Sequence, residues 1–271
     1  MTNKKEVLDF LNQNNFFPSK KLGQNFLINN NISEKIVNSC AIKASDYVLE
    51  IGPGLGAITK LIYQKTKNLI LIELDKRLFN QLLSNFNQAI IYNADFLKFN
   101  LEQNLNNIKK IKVISNLPYS ISSKIILKLL ASNLVDDIFI LVQKEMAQRL
   151  LAKINTKNYN AFSVLVQMFS NVKHLFNVVP NNFVPTPKVD SWFIHIEKKQ
   201  KFNLNFNDIG LFLKTCFANK RKKLFNNLIN IYDKKIIKEA LLKLNLNDNV
   251  RAEQLSLEQF YQLYCYIESD K

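Results

Sequence analysis

The glycines of this chain are concentrated in one short segment. The 271 residues include only 5 glycines, and the segment EIGPGLGAITK contains Gly52, Gly54 and Gly56. Glycine is needed where φ must be positive, or where a ligand must approach the backbone without meeting a Cβ atom. The preceding YVLEI has a strand pattern, and the following AITKLIYQKT has apolar residues at helical spacing. A strand, a glycine loop and a helix in this order predict the first βαβ unit of a nucleotide-binding fold.

The spacing of these glycines narrows the class of cofactor. The loop reads G-x-G-x-G and contains Pro53, whereas dinucleotide-binding dehydrogenases use G-x-G-x-x-G. The shorter spacing is more usual for S-adenosylmethionine, because that cofactor has no pyrophosphate to dock at the helix N-terminus. We therefore expect S-adenosylmethionine rather than NAD.

Acidic side chains follow the next two predicted strands. NLILIELD ends in Glu73 and Asp75, and AIIYNADF reaches Asp95. Open α/β sheets bind ligands at the carboxyl ends of their strands, so these carboxylates should meet at one edge. An acid after the second strand suits hydrogen bonds to ribose hydroxyls, and Asp95 can accept from the exocyclic amine of adenine. Any one of these acids could instead be an ordinary solvated residue at the end of a strand, but all of them arriving in order favours a ligand site.

A fourth strand, IKVIS, leads into SNLPYS and then into the helical pattern ISSKIILKLL, where Ser120, Ser122 or Ser123 could cap the helix. By itself this crossing could be an ordinary turn. Beside a cofactor, Asn116 and a backbone carbonyl held by Pro118 can accept hydrogen bonds from an amine, and Tyr119 offers a ring to an unstacked base. Displacement at a sulfonium methyl depends mainly on positioning and needs no strong base. The segment predicts methyl transfer to an exocyclic amino group.

Composition excludes several other classes of function. The three cysteines are scattered without metal-site or redox spacing, and the only histidines are His174 and His195. His195 alternates with isoleucines in WFIHIE, which indicates a strand face rather than a metal ligand. No apolar run reaches membrane-spanning length, and the first residues lack the apolar core of a signal peptide. We expect no metal, no membrane partner and a cytoplasmic location.

The chain is strongly basic. It contains 37 Lys and Arg against 22 Asp and Glu, with a formal charge of +15 and a pI near 9.6. Part of this excess reflects the Lys-, Asn- and Ile-rich composition that is typical of AT-rich genomes. The remainder favours a polyanionic partner such as nucleic acid.

Seven motifs together carry a resemblance over nearly the whole chain. They are KKLGQNFL (residues 20–27), VLEIGPGLGAIT, IELD, NADF, SNLPYSISSKII, LVQKEMAQRL and FVPTPKVDS (residues 183–191). In this order the sequence closely resembles the ribosomal RNA adenine dimethyltransferase family, which converts adenosines of small-subunit rRNA to N6,N6-dimethyladenosine. Two departures are the segment NYNAFSVLVQ (residues 158–167), where the family pattern has a glycine and an arginine after the tyrosine, and the bulky Trp192.

The resemblance implies roles for particular residues. It implies cofactor contacts at Asn25, Leu27, Gly52, Gly54, Glu73, Asp95 and Asn116. It implies handling of the target base by the catalytic loop, Asn116, Leu117, Pro118 and Tyr119. Phe183 is similar to a family phenylalanine that stacks on the other face of the adenine, although without the resemblance it would be predicted as a core residue. KKLGQNFL is implied to act as a lid over the cofactor.

The fold class expected is α/β, a Rossmann-like class I methyltransferase with a mostly parallel sheet, plus a small all-α C-terminal domain. We place the methyltransferase domain at residues 1–198 and the helical domain, for RNA or ribosome docking, at residues 199–271. The helical domain contains the basic run Lys220, Arg221, Lys222 and Lys223. That run is either a solvated helix face or an rRNA contact, and the resemblance favours contact.

The leading hypothesis is dimethylation of adjacent adenosines near the 3′ end of small-subunit (16S) rRNA, in a pre-ribosomal particle during ribosome biogenesis. We expect a monomer with no DNA partner. One alternative is the related resistance methyltransferase, which modifies an adenine of large-subunit rRNA; the full LGQNFL and the basic NKRKKL favour the first reading. Another is a non-catalytic transcription or assembly factor on the same fold, against which the intact glycine loop, Glu73 and NLPY argue.

Overall fold

A computed structural model describes residues 4–19, 22–199 and 201–268. In that part of the chain the strands are β1 (Phe26–Leu27), β2 (Tyr47–Ile51), β3 (Leu69–Glu73), β4 (Ile90–Asn93), β5 (Ile111–Asn116), β6 (Val135–Gln143), β7 (Ser170–Val178), β8 (Phe183–Val184) and β9 (Ser191–Lys198). The α-helices are α1 (Lys4–Gln13), α2 (Asn30–Ser39), α3 (Thr59–Lys65), α4 (Lys76–Asn85), α5 (Leu101–Asn104), α6 (Ser122–Ala131), α7 (Lys144–Leu150), α8 (Ala161–Phe169), α9 (Phe206–Cys216), α10 (Leu224–Leu228), α11 (Lys234–Lys243) and α12 (Leu257–Glu268).

Seven strands form a central sheet in the order β4-β3-β2-β5-β6-β9-β7, and β1 and β8 form a separate antiparallel pair. The neighbours from β4 to β6 are parallel, and β9 runs antiparallel to β6. The chain moves from β2 to β3 and β4 on one side, and later to β5 and β6 on the other. This reversal opens a crevice at the carboxyl ends of β2 and β5. The predicted mostly parallel, Rossmann-like sheet is confirmed.

The strands predicted from sequence form because their side chains are almost continuously apolar. All five residues of β3 are buried, and so are four of the five in β2. Strands that are covered on both faces read as unbroken apolar runs rather than as alternating patterns. Several helices begin at an Asn or Asp side chain that accepts a backbone N–H, including Asn29 before α2, Asp75 before α4 and Asn160 before α8.

The chain divides into two compact units, Met1–Ala147 with Lys173–Lys198, and Gln148–Val172 with Lys199–Lys271. The sequence-based boundary after residue 198 differs from this division because it leaves the segment Gln148–Val172 in the first domain. Helix α8 of that segment packs on α9 and α12. The Tyr159 hydroxyl donates to the carbonyl of Leu255, and the Asn155 N–H donates to the carbonyl of Glu253. These contacts join residues about 100 positions apart, so no local pattern revealed them.

The basic run Lys220–Lys223, for which a helix face is one of the two expectations, does not lie on a helix. Helix α9 ends at Cys216 and α10 begins at Leu224, so the basic run lies in the intervening turn. The Asn227 amide donates to the carbonyl of Cys216 (2.7 Å) at the end of α9 and to the carbonyl of Asn219 (3.2 Å), which also accepts from the N–H of Lys222. The helical reading of the basic run is therefore wrong.

Candidate active site

A cavity of about 280 Å³ lies at the carboxyl ends of the parallel strands. Its walls come from the loops after β2, β3, β4 and β5 and from the segment 22–27. Ten of the residues singled out from the sequence line it: Asn25, Leu27, Gly52, Gly54, Glu73, Asp95, Asn116, Leu117, Pro118 and Tyr119. Residues from five separate stretches of the chain therefore meet at the edge that the parallel topology defines.

The glycine loop forms one wall of this cavity and exposes its backbone there. Gly52 and Gly54 have φ values of +65° and +60°, which other L-residues rarely adopt. A Cβ atom on Gly52 would meet no described atom within 4 Å and would project into open space. A Cβ on Gly54 would lie 3.2 Å from the ring of Phe26. The absence of side chains leaves the backbone of the loop accessible to a cofactor and allows the segment 22–27 to pack closely.

Glu73 ends β3 and is held by backbone donors. Its Oε2 accepts from the N–H of Gly54 (3.1 Å) and its Oε1 accepts from the N–H of Asp75 (2.9 Å). Burial raises the pKa of Glu73, and these two backbone hydrogen bonds oppose that rise. Each carboxylate oxygen can accept more than one hydrogen bond, so both retain acceptor capacity toward the cavity.

Asp75, two residues further on, has a structural role. It caps α4 by accepting from the backbone N–H of Arg77, and it also accepts two hydrogen bonds from the Arg77 guanidinium (3.0 and 2.7 Å). The Gln24 amide donates to the same carboxylate. Hydrogen bonds from Arg77 hold the pKa of Asp75 below its usual range. Glu73, rather than Asp75, faces the cavity.

Asn116 is the last residue of β5, and its side chain is oriented by a single contact. Its Nδ2 donates to the carbonyl of Asn25 at 3.0 Å. Its Oδ1 is buried, and no described residue donates a hydrogen bond to it. Buried acceptors are normally paired, so an unpaired one on a cavity wall indicates a place for a ligand donor.

The rest of the NLPY loop is held on both sides. Leu117 is 1% exposed, and its N–H donates to the carbonyl of Leu141. Pro118 starts a short 3₁₀ turn, Tyr119–Ile121. The Tyr119 hydroxyl lies 2.8 Å from the hydroxyl of Ser191, and burial raises the pKa of Tyr119. No serine caps α6 in the predicted way, because Ile121 occupies the N-cap position and Ser122 instead donates to the carbonyl of Tyr119.

Glu50 is a cavity residue that the sequence analysis missed. It lies in β2 directly before the glycine loop and is 2% exposed. Burial, with a smaller contribution from the nearby charge of Glu73, raises the pKa of Glu50 to about 8. No described residue hydrogen-bonds to its Oε2. A carboxylate inside the apolar run YVLEI was the available signal, since buried charges need a partner or a proton.

Phe183 does not line the cavity. It is 1% exposed and belongs to a core cluster with Leu27 and Val178, and β8 pairs it directly with Leu27. The ring is covered by neighbouring side chains and has no face free for an adenine in this conformation. Phe183 therefore occupies a core position in this conformation, and the stacking role that the resemblance implies stays a prediction.

The basic run in the second unit is only partly available. Lys220 forms an ion pair with Glu253 (3.1 Å) and donates to the carbonyl of Lys157 (2.7 Å). Arg221, Lys222 and Lys223 are exposed. Lys20 and Lys21, the basic pair that begins KKLGQNFL, lie outside the described residues.

The described residues contain neither a metal site nor a membrane-spanning helix, and His195 has a structural role. Within the described ranges, no group of three or more His, Cys, Asp or Glu side chains could hold a metal ion. In the same ranges, no helix has both the length and the apolarity to cross a bilayer. His195 lies on β9 as predicted, pairs with Asp137 of β6 at 2.8 Å and stacks on Phe139.

The strand order, the glycine loop and the acidic residue after the second parallel strand define a class I methyltransferase. A family model described as "Ribosomal RNA adenine dimethylase" matches residues 15–269. The chain belongs to this family, and it is therefore an enzyme that uses S-adenosylmethionine.

Curated relatives match over almost their full length. The "Ribosomal RNA small subunit methyltransferase A" of Ureaplasma parvum serovar 3 is 50% identical, covering 98% of this chain and 99% of the relative. The protein of the same name from Malacoplasma penetrans is 47% identical, covering 96% of each chain. The protein of the same name from Borreliella burgdorferi is 40% identical, covering 93% of this chain and 90% of the relative.

Two solved structures have the same overall fold. A dimethyladenosine transferase from Plasmodium falciparum has a TM-score of 0.76 and 29% identity, covering 88% of this chain and 95% of that one. The 23S rRNA methyltransferase ErmE has a TM-score of 0.66 and 21% identity, covering 90% and 99%. The second likeness shows the fold alone.

Proposed function

We propose that this protein dimethylates N6 of adjacent adenosines near the 3′ end of small-subunit rRNA, on a pre-ribosomal particle. The observation that carries the chemistry is the buried, unpaired Oδ1 of Asn116 on the wall of the cofactor cavity, close in sequence to Tyr119. The choice of small-subunit rRNA is supported by relatives with 40–50% identity that are named small subunit methyltransferases. The cytoplasmic, monomeric state expected from the sequence stays a prediction.

The cofactor-binding residues fit S-adenosylmethionine. Glu73 retains acceptor capacity for ribose hydroxyls, Asp95 offers carboxylate oxygens to the adenine amine, and Gly52 leaves room for close approach. When bound, the cofactor supplies an electrophilic methyl group on a sulfonium sulfur. The protein's contribution is to hold the acceptor nitrogen in line with that methyl.

Asn116 is placed to orient the target amine. Its Nδ2 is committed to the carbonyl of Asn25, so its Oδ1 is left to accept an N6–H from adenine. A second acceptor on the rigid Leu117–Pro118 backbone would fix both hydrogens and direct the nitrogen lone pair toward the methyl group. The methylated nitrogen then releases one proton to solvent, which leaves one N–H. The same acceptors can hold this monomethylated amine for the second transfer.

Tyr119 provides the surface for the base. Its hydroxyl is anchored to Ser191, so the ring is held in one orientation. Stacking of a base on an aromatic ring contributes about 1–3 kcal/mol. A pre-positioned ring reduces the entropy that is lost when an extruded adenine docks.

The test is a direct product analysis. Purified protein and S-adenosylmethionine are incubated with small-subunit particles from cells that lack this modification, and the rRNA is digested to nucleosides for mass spectrometry. We expect N6,N6-dimethyladenosine in small-subunit rRNA, and none with the Asn116→Ala variant. Large-subunit particles serve as the parallel substrate. Exclusive monomethyladenosine, or product only in large-subunit rRNA, would favour the resistance-type alternative.

We also propose that the helical unit docks the enzyme on RNA. The support is the exposed stretch Arg221, Lys222 and Lys223 in a chain of net charge +15. Exposed cations bind phosphates without sequence preference, so this unit would add affinity for the particle rather than choose the target base.

A further inference from the structure

The ammonium group of Lys128 lies among three main-chain carbonyl oxygens. The distances from Nζ are 2.7 Å to Phe96, 3.0 Å to Leu97 and 2.5 Å to Phe99. A lysine ammonium has three donors, so these contacts use all of them. The same Nζ lies 5.1 Å from the centroid of the Phe96 ring. Lys128 is therefore engaged with a single short loop.

That loop forms one wall of the cofactor cavity. Asp95, Phe96 and Leu97 all line the cavity. Asp95 also organises the turn, because its Oδ1 accepts from the N–H of Leu97 and its carbonyl accepts from the N–H groups of Lys98 and Phe99. The turn brings the carbonyls of Phe96, Leu97 and Phe99 together on Lys128.

Converging carbonyl oxygens repel one another, and burying them without donors is costly. The ammonium group of Lys128 offsets the repulsion between the carbonyl oxygens and donates a hydrogen bond to each of them. Burial lowers the pKa of Lys128, while the carboxylates of Asp95 and Glu102 oppose that shift and favour the charged form. Without this cation, the arrangement of carbonyls that shapes the loop would lose its stabilising partner.

Lys128 belongs to α6, which begins at Ser122, three residues after Tyr119. The helix that follows the catalytic loop thus also holds the loop after β4. We propose that Lys128 is a positioning residue for the cofactor, holding the 95–99 loop in the conformation that presents Asp95 to the adenine ring. This inference rests on the cofactor-contacting role proposed above for Asp95.

The primary experiment measures binding of S-adenosylhomocysteine by calorimetry to wild type, Lys128→Met and Lys124→Met. Lys124 is the matched control, since it is exposed and lies one turn earlier on α6. If the loop keeps its binding conformation about one-tenth of the time, apparent affinity falls about tenfold. We expect that loss for Lys128→Met, a change of less than about twofold for Lys124→Met, and partial recovery in Lys128→Arg, which keeps the charge.

Kinetics separate positioning from a general loss of folded protein. Lys128→Met should raise KM for S-adenosylmethionine while kcat at saturating cofactor stays near the wild-type value. A smaller fraction of folded enzyme would lower kcat and leave KM unchanged. Equal affinities in the two methionine variants, or a fall in kcat alone, would overturn the proposal.

A second measurement uses only the wild-type protein, in case Lys128→Met does not fold. Coupling between two sites is reciprocal, so a cofactor that depends on Lys128 must in turn stabilise the Lys128 contacts. Bound S-adenosylhomocysteine should slow amine-reactive labelling of Lys128 several-fold and leave Lys124 unchanged. Labelling of Lys128 that does not respond to the ligand would contradict the proposal. Both measurements report binding, so their outcome is independent of which adenosines the enzyme modifies.

Discussion

The hydroxyls of Tyr119 and Ser191 lie 2.8 Å apart and join two motifs that are separated by 72 residues. Ser191 is fully buried at the first position of β9, where it pairs with Gln143 of β6. The central sheet therefore supplies a fixed anchor for the one aromatic ring of the catalytic loop. The contact also assigns the last residue of FVPTPKVDS a structural role that the sequence alone did not suggest.

We predict that Tyr119→Ala loses most of the methyltransferase activity, because stacking requires the ring. Tyr119→Phe and Ser191→Ala should each cost much less, about 2- to 10-fold in kcat/KM, the scale of one hydrogen bond. The double variant should be no worse than either single change, because both remove the same contact. Ser123→Ala, on α6 and outside the cavity lining, is the control. Additive losses in the double variant would show that the two hydroxyls act separately.

Asn116→Ala should fold normally and lose roughly a hundredfold or more in kcat, the scale of removing one preorganised hydrogen-bonding group at a reacting centre. The variant also loses the contact to the carbonyl of Asn25, so cofactor affinity must be measured alongside turnover. A large fall in kcat with little change in cofactor binding is the expected pattern. Wild-type turnover in Asn116→Ala would rule out the role proposed for its Oδ1.

Glu73→Ala should weaken S-adenosylmethionine binding by roughly 1–3 kcal/mol, the range for hydrogen bonds to a charged acceptor. The backbone donors of Gly54 and Asp75 also lose their acceptor, so part of this cost reflects a loosened loop. Calorimetry on Glu73→Ala and Glu73→Gln separates the loss of cofactor hydrogen bonds from the loosening of the loop, because the amide keeps one acceptor oxygen. Unchanged affinity in both variants would remove Glu73 from the binding site.

Glu50 should make the free energy of unfolding depend on pH. Its pKa rises from 4.5 to about 8 in the folded protein, so between these values the folded state holds a proton that the unfolded chain has released. Stability should therefore fall as pH rises from about 5 to 8, and the buried Glu73, whose pKa is also raised, contributes in the same direction. Chemical denaturation of wild type and Glu50→Gln at several pH values is the measurement. Glu50→Gln should show a shallower dependence, and identical slopes would contradict the assignment.

The exposed residues of the basic run should contribute to the salt dependence of particle binding. Replacing Arg221, Lys222 and Lys223 with Gln should lower the log–log salt slope by roughly two units, at about 0.7 to 0.9 per phosphate contact. Binding of S-adenosylmethionine should stay the same. Lys220→Gln is the internal control, because Lys220 is paired with Glu253 and should alter stability rather than the slope. Identical slopes for wild type and the triple variant would shift the docking role to Lys20 and Lys21.

Much of the fold and of the cavity could be predicted because the signals are local. The apolar run of β3, the three glycines after β2 and the NLPY segment after β5 each occupy fewer than about ten residues. Parallel strands bring their carboxyl ends to a common edge, so the meeting of Glu73, Asp95 and Asn116 followed from the order of these elements alone. The position of His195 on a strand followed in the same way from its alternation with isoleucine.

Only the tertiary structure decided how these side chains are held. Lys128 reaches the carbonyl of Phe99 across 29 residues, and Ser191 reaches Tyr119 across 72, so neither contact has a sequence pattern. The pairing of Lys220 with Glu253 and the placement of Gln148–Val172 with the helical unit likewise depend on packing between distant segments. Short-range periodicity and backbone preferences determine which elements form, whereas burial and hydrogen-bond pairing depend on which surfaces meet after the chain has folded.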